Sequence, residues 1–357
     1  MKILTVVGAR PQFIKASVIS RELALHSTVV EKIIHTGQHY DENMSDLFFS
    51  EMNIPQPYIN LGINQLNPGT MVGKIIEGVE QEIIAEKPDA IIVYGDTNST
   101  LGGALAASKQ NIKLIHIEAG LRSFNMTMPE ELNRVITDRI SNMLFCPTQV
   151  AMDNLREEGY DGFNSDYFFS GDVMYDATLF YKERALNETS SLTKVYEMEF
   201  ALCTIHRAEN CDNDRNLTNI ISAINTIASE INVICPLHPR TALRIKELGL
   251  KTNFTIINPI GYFEMIRLLT KCKLVLTDSG GLQKESYFHN KICVCLRDET
   301  EWKELAEDGY VIISGTDSQS IIEAFHCALK TSLRFDMKYY GNGNAGSYIV
   351  NEILKSF

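Results

Sequence analysis

Short apolar runs of strand length alternate with longer segments of helical period along almost the whole chain, and few folds can satisfy that pattern. Residues 3–7 and 29–35 read as strands around a predicted helix over 12–25. Further strands fall at 90–94, 113–117 and 143–147, with helices over 70–86, 99–110 and after Pro129. Such alternation is the signature of βαβ units on a parallel sheet with helices on both faces. Around Gly171-Asp172-Val173 the rhythm pauses, then restarts with strands at 200–204, 232–237, 255–257, 274–277, 292–296 and 311–314. Helices over 215–230, 240–248, 263–272 and 282–289 fall between them. One sheet of a dozen strands is uncommon, and 357 residues suit two domains at roughly 100–200 each. The prediction is α/β: two doubly wound domains, 1–170 and 171–340, with a helical tail over 341–357 that crosses back to cover the first.

Composition narrows the function. An apolar content of 45% rules out a disordered or fibrous chain, and a net charge of −12 rules out a broad electrostatic grip on nucleic acid or anionic lipid. An anionic ligand must therefore be held by a few local cations and by backbone dipoles. Apolar runs such as 90–94 and 292–296 fall far short of the roughly 18 residues of a membrane span. No signal-peptide pattern opens the chain, and the eight cysteines are scattered without metal-finger spacing, so reduced core thiols, a cytoplasmic location and no metal are expected.

Ligands of open parallel sheets bind beyond the carboxyl ends of strands, so the chemistry is sought in the residues after each predicted strand. Gly8-Ala9-Arg10-Pro11 leads into a helix start bracketed by Arg10 and Lys15, which reads as an anion site or as surface cations on a capped helix. In Gly95-Asp96-Thr97, Asp96 is a candidate carboxylate or an N-cap. Glu118, in Glu118-Ala119-Gly120-Leu121-Arg122, ends an apolar strand; burying its charge is costly, which favours function over a structural pair with Arg122. Glu130, Arg134 and Asp138 share a helical face after Pro129, alternatively as a solvated ion-pair ladder. Asp96, Glu118 and Glu130 should converge on one side of one sheet, where mutual repulsion would raise at least one carboxylate toward the range of a general base.

In the second half, Asp278-Ser279-Gly280-Gly281 joins a strand to a helix, presenting bare N–H groups suited to a pyrophosphate; Glu285, one turn further, could accept a ribose hydroxyl pair. His206 and His238 each follow a strand and are accompanied by an arginine, as phosphate contacts are. Neither the Walker pattern nor the dinucleotide fingerprint occurs.

These motifs, with Pro129-Glu130-Glu131-x-Asn133-Arg134 and His206-Arg207-x-Glu209-Asn210, occur in the order found in the non-hydrolysing UDP-N-acetylglucosamine 2-epimerases, which the chain resembles over essentially its whole length. The resemblance implies the glycosyltransferase-B architecture, two Rossmann-like domains facing across a cleft that holds a UDP-sugar, and a homodimer. It implies removal of the C2 proton as UDP leaves C1, giving a 2-acetamidoglucal, then re-addition with inversion at C2, without a cofactor. By the same resemblance Asp96, Glu118, Glu130 and His206 are catalytic. Arg10, Lys15, Ser279, Gly280, Gly281 and Glu285 match the family's nucleotide-binding positions, and Arg134 and His238 are added from their own setting as substrate or UDP contacts.

Two departures bear on the sugar. Trp302 stands in Arg297-Asp298-Glu299-Thr300-Glu301-Trp302-Lys303-Glu304 where simple epimerases carry arginine, and the loop over 121–129 is one residue shorter. Both resemble the branch acting on UDP-2,3-diacetamido-2,3-dideoxy-glucuronic acid, with Arg122, Arg297 or Lys303 left to meet a C6 carboxylate. Gly37-Gln38-His39-Tyr40 also differs from the Ala-Gln-His-Arg type seen where substrate is an allosteric activator. A retaining glycosyltransferase, a hydrolysing epimerase and a non-catalytic sensor are the rival functions. They would respectively require an acceptor, release free sugar, or turn nothing over.

Overall fold

The computed structural model describes all residues except 39–48, 50, 189, 191, 193–196, 337 and 338. The stretch from His39 onward, read above for activation, lies outside the described residues. The chain divides into two compact units, Met1–Leu179 with Lys338–Phe357, and Phe180–Met337.

In the first unit, β1 (Lys2–Val7), β2 (Val30–His35), β3 (Ile59–Asn60), β4 (Ala90–Tyr94), β5 (Lys113–Ile117), β6 (Met143–Cys146) and β7 (Asp166–Phe169) form one parallel sheet ordered β3-β2-β1-β4-β5-β6-β7. It is wound by α1 (Arg10–Leu23), α2 (Pro68–Glu86), α3 (Asn98–Lys109), α4 (Pro129–Ile140) and α5 (Gln149–Glu157), and α6 (Val173–Asn187) follows β7. Every residue of β4 is buried, because helices cover both sheet faces, and so its sequence is a continuous apolar run. Leu4, Val6, Ile91 and Val93 pack with Ile75, Val79 and Ile83 of α2, which recur at helical spacing. The C-terminal helix, Ala345–Lys355, belongs to this unit. Asp176 Oδ2 accepts the Gly346 amide at 2.8 Å, and Lys113 Nζ donates to the Ser356 carbonyl at 2.9 Å.

The second unit repeats the plan. Its sheet is β10-β9-β8-β11-β12-β13, built from β8 (Phe200–Thr204), β9 (Asn232–Pro236), β10 (Thr255–Ile257), β11 (Val275–Thr277), β12 (Cys293–Cys295) and β13 (Val311–Ile313). Its helices are α7 (Ala208–Cys211), α8 (Asp214–Ile227), α9 (Pro239–Glu247), α10 (Tyr262–Lys271), α11 (Gly280–Phe288), α12 (Lys303–Glu307) and α13 (Ser318–Lys330). Leu217, Ile220, Ile221 and Ile224 of α8 meet Cys203 and Cys235 in its core. All eight cysteines are free, seven of them buried. Among the described residues no helix is long and apolar enough to cross a membrane.

The predicted class, two doubly wound α/β units, is the observed one. The sequence reading passed over β3, α5, β7, α6, α7, α12 and α13; β7 is a sheet edge with half-exposed residues, and so lacks the buried run that marks β4. Each sheet has one place where the winding direction reverses, between β1 and β4 and between β8 and β11. There the loops diverge and leave a crevice.

Candidate active site

At the β1/β4 crevice a single buried amide joins the two loops. Gln12 Oε1 accepts the Gly8 and Ala9 amides at 2.8 and 3.0 Å, and its Nε2 donates to the Tyr94 carbonyl and Thr100 Oγ1, both at 3.0 Å. This alters the anion reading of the α1 start, since two of that loop's amides are already engaged. Arg10 sits half-buried at the first helical position.

Lys15 is not displayed at that helix start. Its side chain is almost fully buried and its ammonium forms an ion pair with Glu118. Glu118 has a left-handed backbone, φ 69°, a conformation costing a non-glycine residue on the order of 1 kcal/mol or more. The amides of Glu118 and Ala119 both donate to the Phe145 carbonyl, at 3.1 and 3.0 Å, which holds the bend. Gly95, also left-handed at φ 61°, lets the pair approach: a Cβ there would stand 3.0 Å from Lys15 Nζ and 3.2 Å from Glu118 Oε1. The alternative partner for Glu118 is engaged elsewhere, because Arg122 binds Asp138 at 2.7 Å and Glu158 at 2.6 and 2.8 Å.

Asp96 is not the N-cap of α3. That role falls to Thr97, whose hydroxyl accepts from the Thr100 amide, leaving Asp96 to pair with Arg134. Asn133 Nδ2 donates to the Asp96 carbonyl at 2.9 Å and Arg134 Nη1 to Glu131 Oε2 at 2.6 Å, so α4 is clamped to the loop after β4. Glu131 in turn accepts the Ser123 and Phe124 amides at 2.9 Å each. Burial alone would raise its carboxyl, but those amides and the Arg134 charge hold it below the usual range. Arg134 and Asp138 are buried, which removes the solvated-ladder reading; Glu130 is half-buried in the first turn of α4. Of the three carboxylates expected to converge, Glu118 is paired with Lys15 and Asp96 with Arg134.

The β8/β11 crevice is organised by Asp278, a residue the sequence reading quoted but did not single out. Its fully buried carboxylate accepts the His206 amide at 3.1 Å, the Arg207 amide at 3.0 Å and Asn210 Nδ2 at 3.1 Å, and lies 3.2 Å from His206 Nδ1. Burial opposes its charge, yet the His206 contacts and these donors hold its carboxyl below the normal value. The His206 side chain is thereby oriented while remaining 52% exposed. An aspartate immediately after a central strand is the signal that could have marked it.

After Asp278 the chain enters α11 with Ser279 as N-cap, its hydroxyl accepting the Leu282 amide at 3.4 Å. Among the described residues, the amides of Gly280 and Gly281 find no intramolecular acceptor, as the first turn of a helix leaves them. The two glycines differ. A Cβ on Gly280 would stand 1.9 Å from Glu301 Oε1, whereas one on Gly281 would meet only Ser279 Oγ, at 4.0 Å. A side chain at Gly280 would displace the buried Glu301 carboxylate, whereas Gly281 is the position open to a ligand's approach. Glu285, 7% exposed, lies further along α11. His238 caps α9, its Nδ1 accepting the Arg240 amide at 3.2 Å, while Arg240 forks onto Asp212 at 2.7 and 2.8 Å.

Trp302 corrects the substrate argument. It is 3% exposed, its Nε1 donates to the Gly280 carbonyl at 2.8 Å, and Lys284 Nζ lies 4.6 Å from its ring centroid. It braces the start of α11 instead of lining a pocket. Arg297 is likewise buried against Glu301 at 3.0 Å, so of the cations nominated for a sugar carboxylate only Lys303 is exposed. Among the described residues no group of three or more His, Cys, Asp or Glu could hold a metal ion.

A family model described as UDP-N-acetylglucosamine 2-epimerase matches residues 21–354. The chain is 49% identical over 356 residues to the UDP-2,3-diacetamido-2,3-dideoxy-D-glucuronate 2-epimerase of Pseudomonas aeruginosa, covering 99% of this chain and 100% of that one. It is 46% identical to a UDP-N-acetylglucosamine 2-epimerase homolog of Methanococcus maripaludis, with both chains fully covered. The crystal structure of Methanocaldococcus jannaschii UDP-GlcNAc 2-epimerase in complex with UDP-GlcNAc and UDP superposes with a TM-score of 0.93 at 40% identity, over 99% of this chain and 100% of that one. The Neisseria meningitidis enzyme bound to UDP-GlcNAc gives 0.88 at 31%, over 99% and 100%.

Proposed function

Since the chain belongs to the UDP-N-acetylglucosamine 2-epimerase family, we propose that it is the non-hydrolysing 2-epimerase of UDP-2,3-diacetamido-2,3-dideoxy-glucuronate, serving surface-polysaccharide synthesis in the cytoplasm as a homodimer. The observation that carries the substrate is the 49% identity, end to end, with the Pseudomonas aeruginosa relative of that activity. Trp302 no longer contributes to it as a pocket residue.

In this reading a carboxylate of the first unit removes the C2 proton while the C1–O bond to UDP breaks, leaving a 2-acetamidoglucal. UDP then re-adds at C1 as a proton is delivered to the opposite face of C2. Asp96, Glu118 and Glu130 are the proton-transfer groups. Lys15 and Arg134 hold the first two in place, so Lys15 serves Glu118 more directly than it serves UDP. The second unit takes the diphosphate: the amides of Gly280 and Gly281 point toward the N-terminal end of α11, Ser279 borders them, and His206 stands oriented on Asp278. Glu285 is assigned to the ribose. UDP remains both leaving group and nucleophile, so no cofactor enters the scheme.

The test is kcat/KM measured side by side for the diacetamido uronate and for UDP-N-acetylglucosamine. A ratio well above one in favour of the uronate supports the assignment. A ratio near or below one rejects that substrate and leaves the 2-epimerase class intact.

A further inference from the structure

Beneath the first-unit carboxylates lies a buried imidazole that the scheme above does not use. His116 sits inside β5 with no solvent exposure, beside the apolar Leu114, Ile115 and Ile117 of the same strand. Its Nε2 lies 2.7 Å from the Gly95 carbonyl, a group that only accepts, so Nε2–H is the donor. Its Nδ1 lies 2.6 Å from Asp138 Oδ1. The second oxygen of Asp138 accepts the Gly120 amide at 3.1 Å and Arg122 Nη1 at 2.7 Å. Desolvation works against a charge on Asp138, but Arg122 and His116 outweigh it and keep its carboxyl below the ordinary range.

β4 and β5 are already paired, and the Gly95 amide donates to the Ile117 carbonyl at 2.9 Å; the His116 contacts carry that connection beyond the strand ends, to the Gly95 carbonyl and, through Asp138, to Gly120. Gly95 precedes Asp96 directly, and Gly120 follows Glu118 by two residues. Glu118 holds a left-handed backbone that its side chain disfavours, and a bend of that kind persists only where surrounding bonds over-determine it, while Gly95 and Gly120 take the same region without strain. A histidine kept merely as filler would need one partner per nitrogen of any kind. Here Nε2 holds the carbonyl of the residue before Asp96, and Nδ1 meets the carboxylate that accepts the Gly120 amide, two residues after Glu118.

We infer that His116 is a positioning residue: from a ring seated on Asp138, its Nε2–H holds the Gly95 carbonyl and so sets the place of Asp96 beside Glu118. The inference rests on the reading of those two carboxylates as proton-transfer groups. Misplacing a reacting group by about 1 Å can cost on the order of 100-fold in rate, so the brace should be felt in kcat and hardly in nucleotide affinity.

Two near-isosteric variants separate the two nitrogens. In His116→Asn the amide reaches where Nδ1 was, keeping the Asp138 contact and losing the Gly95 one. In His116→Gln it reaches where Nε2 was, keeping the donor to Gly95. The expected result is a fall of about 100-fold in kcat for His116→Asn with UDP affinity within a few-fold, and recovery of roughly tenfold or more of that loss in His116→Gln. Equal losses in both variants, or an unchanged kcat in folded His116→Asn, would overturn the inference. Should His116→Asn fail to fold, the Gln variant decides: kcat within about tenfold of wild type supports the Gly95 contact, and a loss beyond about 100-fold refutes it. Asp96→Asn and Glu118→Gln are assayed alongside. Wild-type turnover in those variants would sink the underlying reading, whereas their inactivity beside an active His116→Asn would remove only the positioning role.

Discussion

The two units have the same winding and use their crevices in opposite ways. In the first, the amide of Gln12 ties the loops together and the acidic side chains nearby are held by buried cations, Lys15 on Glu118 and Arg134 on Asp96. In the second, the tie is a carboxylate, Asp278, and what is left open is backbone: the Gly281 amide with clear space above its Cα. A crevice that fixes carboxylates suits proton transfer, and one that leaves amides unpaired suits an anion. The difference teaches that one βαβ plan can be specialised by what occupies its switch point.

Four changes would break or sharpen that contrast. The largest effect is expected in the first unit: Asp96→Asn, Glu118→Gln and Glu130→Gln should each lower kcat by at least about 100-fold while UDP affinity, read by calorimetry, stays within several-fold. Next comes Gly281→Val in the second unit. It should fold normally, because the added atoms meet open space, yet weaken UDP binding by about tenfold or more, the scale of one lost charge-assisted hydrogen bond. Gly280→Ala makes the control, since its Cβ would collide with Glu301 and lower Tm instead. An equal loss of UDP affinity with unchanged Tm at both glycines would contradict the division of roles between them.

A smaller effect is expected from Trp302→Phe. Removing the indole donor leaves the Gly280 carbonyl with one bond fewer, a change worth about 1 kcal/mol, so UDP affinity should fall several-fold and the preference between sugars should hold. A reversed sugar preference would restore Trp302 to the pocket. The smallest effect is one of pH. Glu131 has its folded-state carboxyl held below the ordinary glutamate value of 4.5, so its contribution to stability is complete above that value and drains away as pH falls below it. Tm should therefore drop less steeply with acid in Glu131→Gln than in wild type; parallel curves would show that Glu131 does not carry the loop over 121–129.

Much of the fold was legible because its strands are buried on both faces. Ala90–Tyr94 is wholly buried, and no other reading of so short an apolar run fits its helix-period neighbours. Asp166–Phe169 escaped for the converse reason, being an edge strand with no buried run to mark it. Candidate positions could be found by searching after strands, but partners could not. Lys15 and Glu118 are 103 residues apart in sequence, and only the turn of α1 over β4 brings them together. Trp302 looked like a lost cation because spacing shows which residue is replaced and not where its side chain goes; the indole reaches a carbonyl 22 residues back. Asp278 was hidden in its own motif, overshadowed by the glycines it introduces.

Handling of the C2 proton by the first unit is tested most directly by deuterium uptake at C2 in D2O, followed by NMR at saturating UDP-2,3-diacetamido-2,3-dideoxy-glucuronate. Wild type and Gly281→Val at raised substrate should both take up deuterium, while Glu118→Gln and Asp96→Asn should exchange at least about 100-fold more slowly with UDP still bound. Exchange at the wild-type rate in both carboxylate variants would contradict the assignment of proton transfer to the first unit.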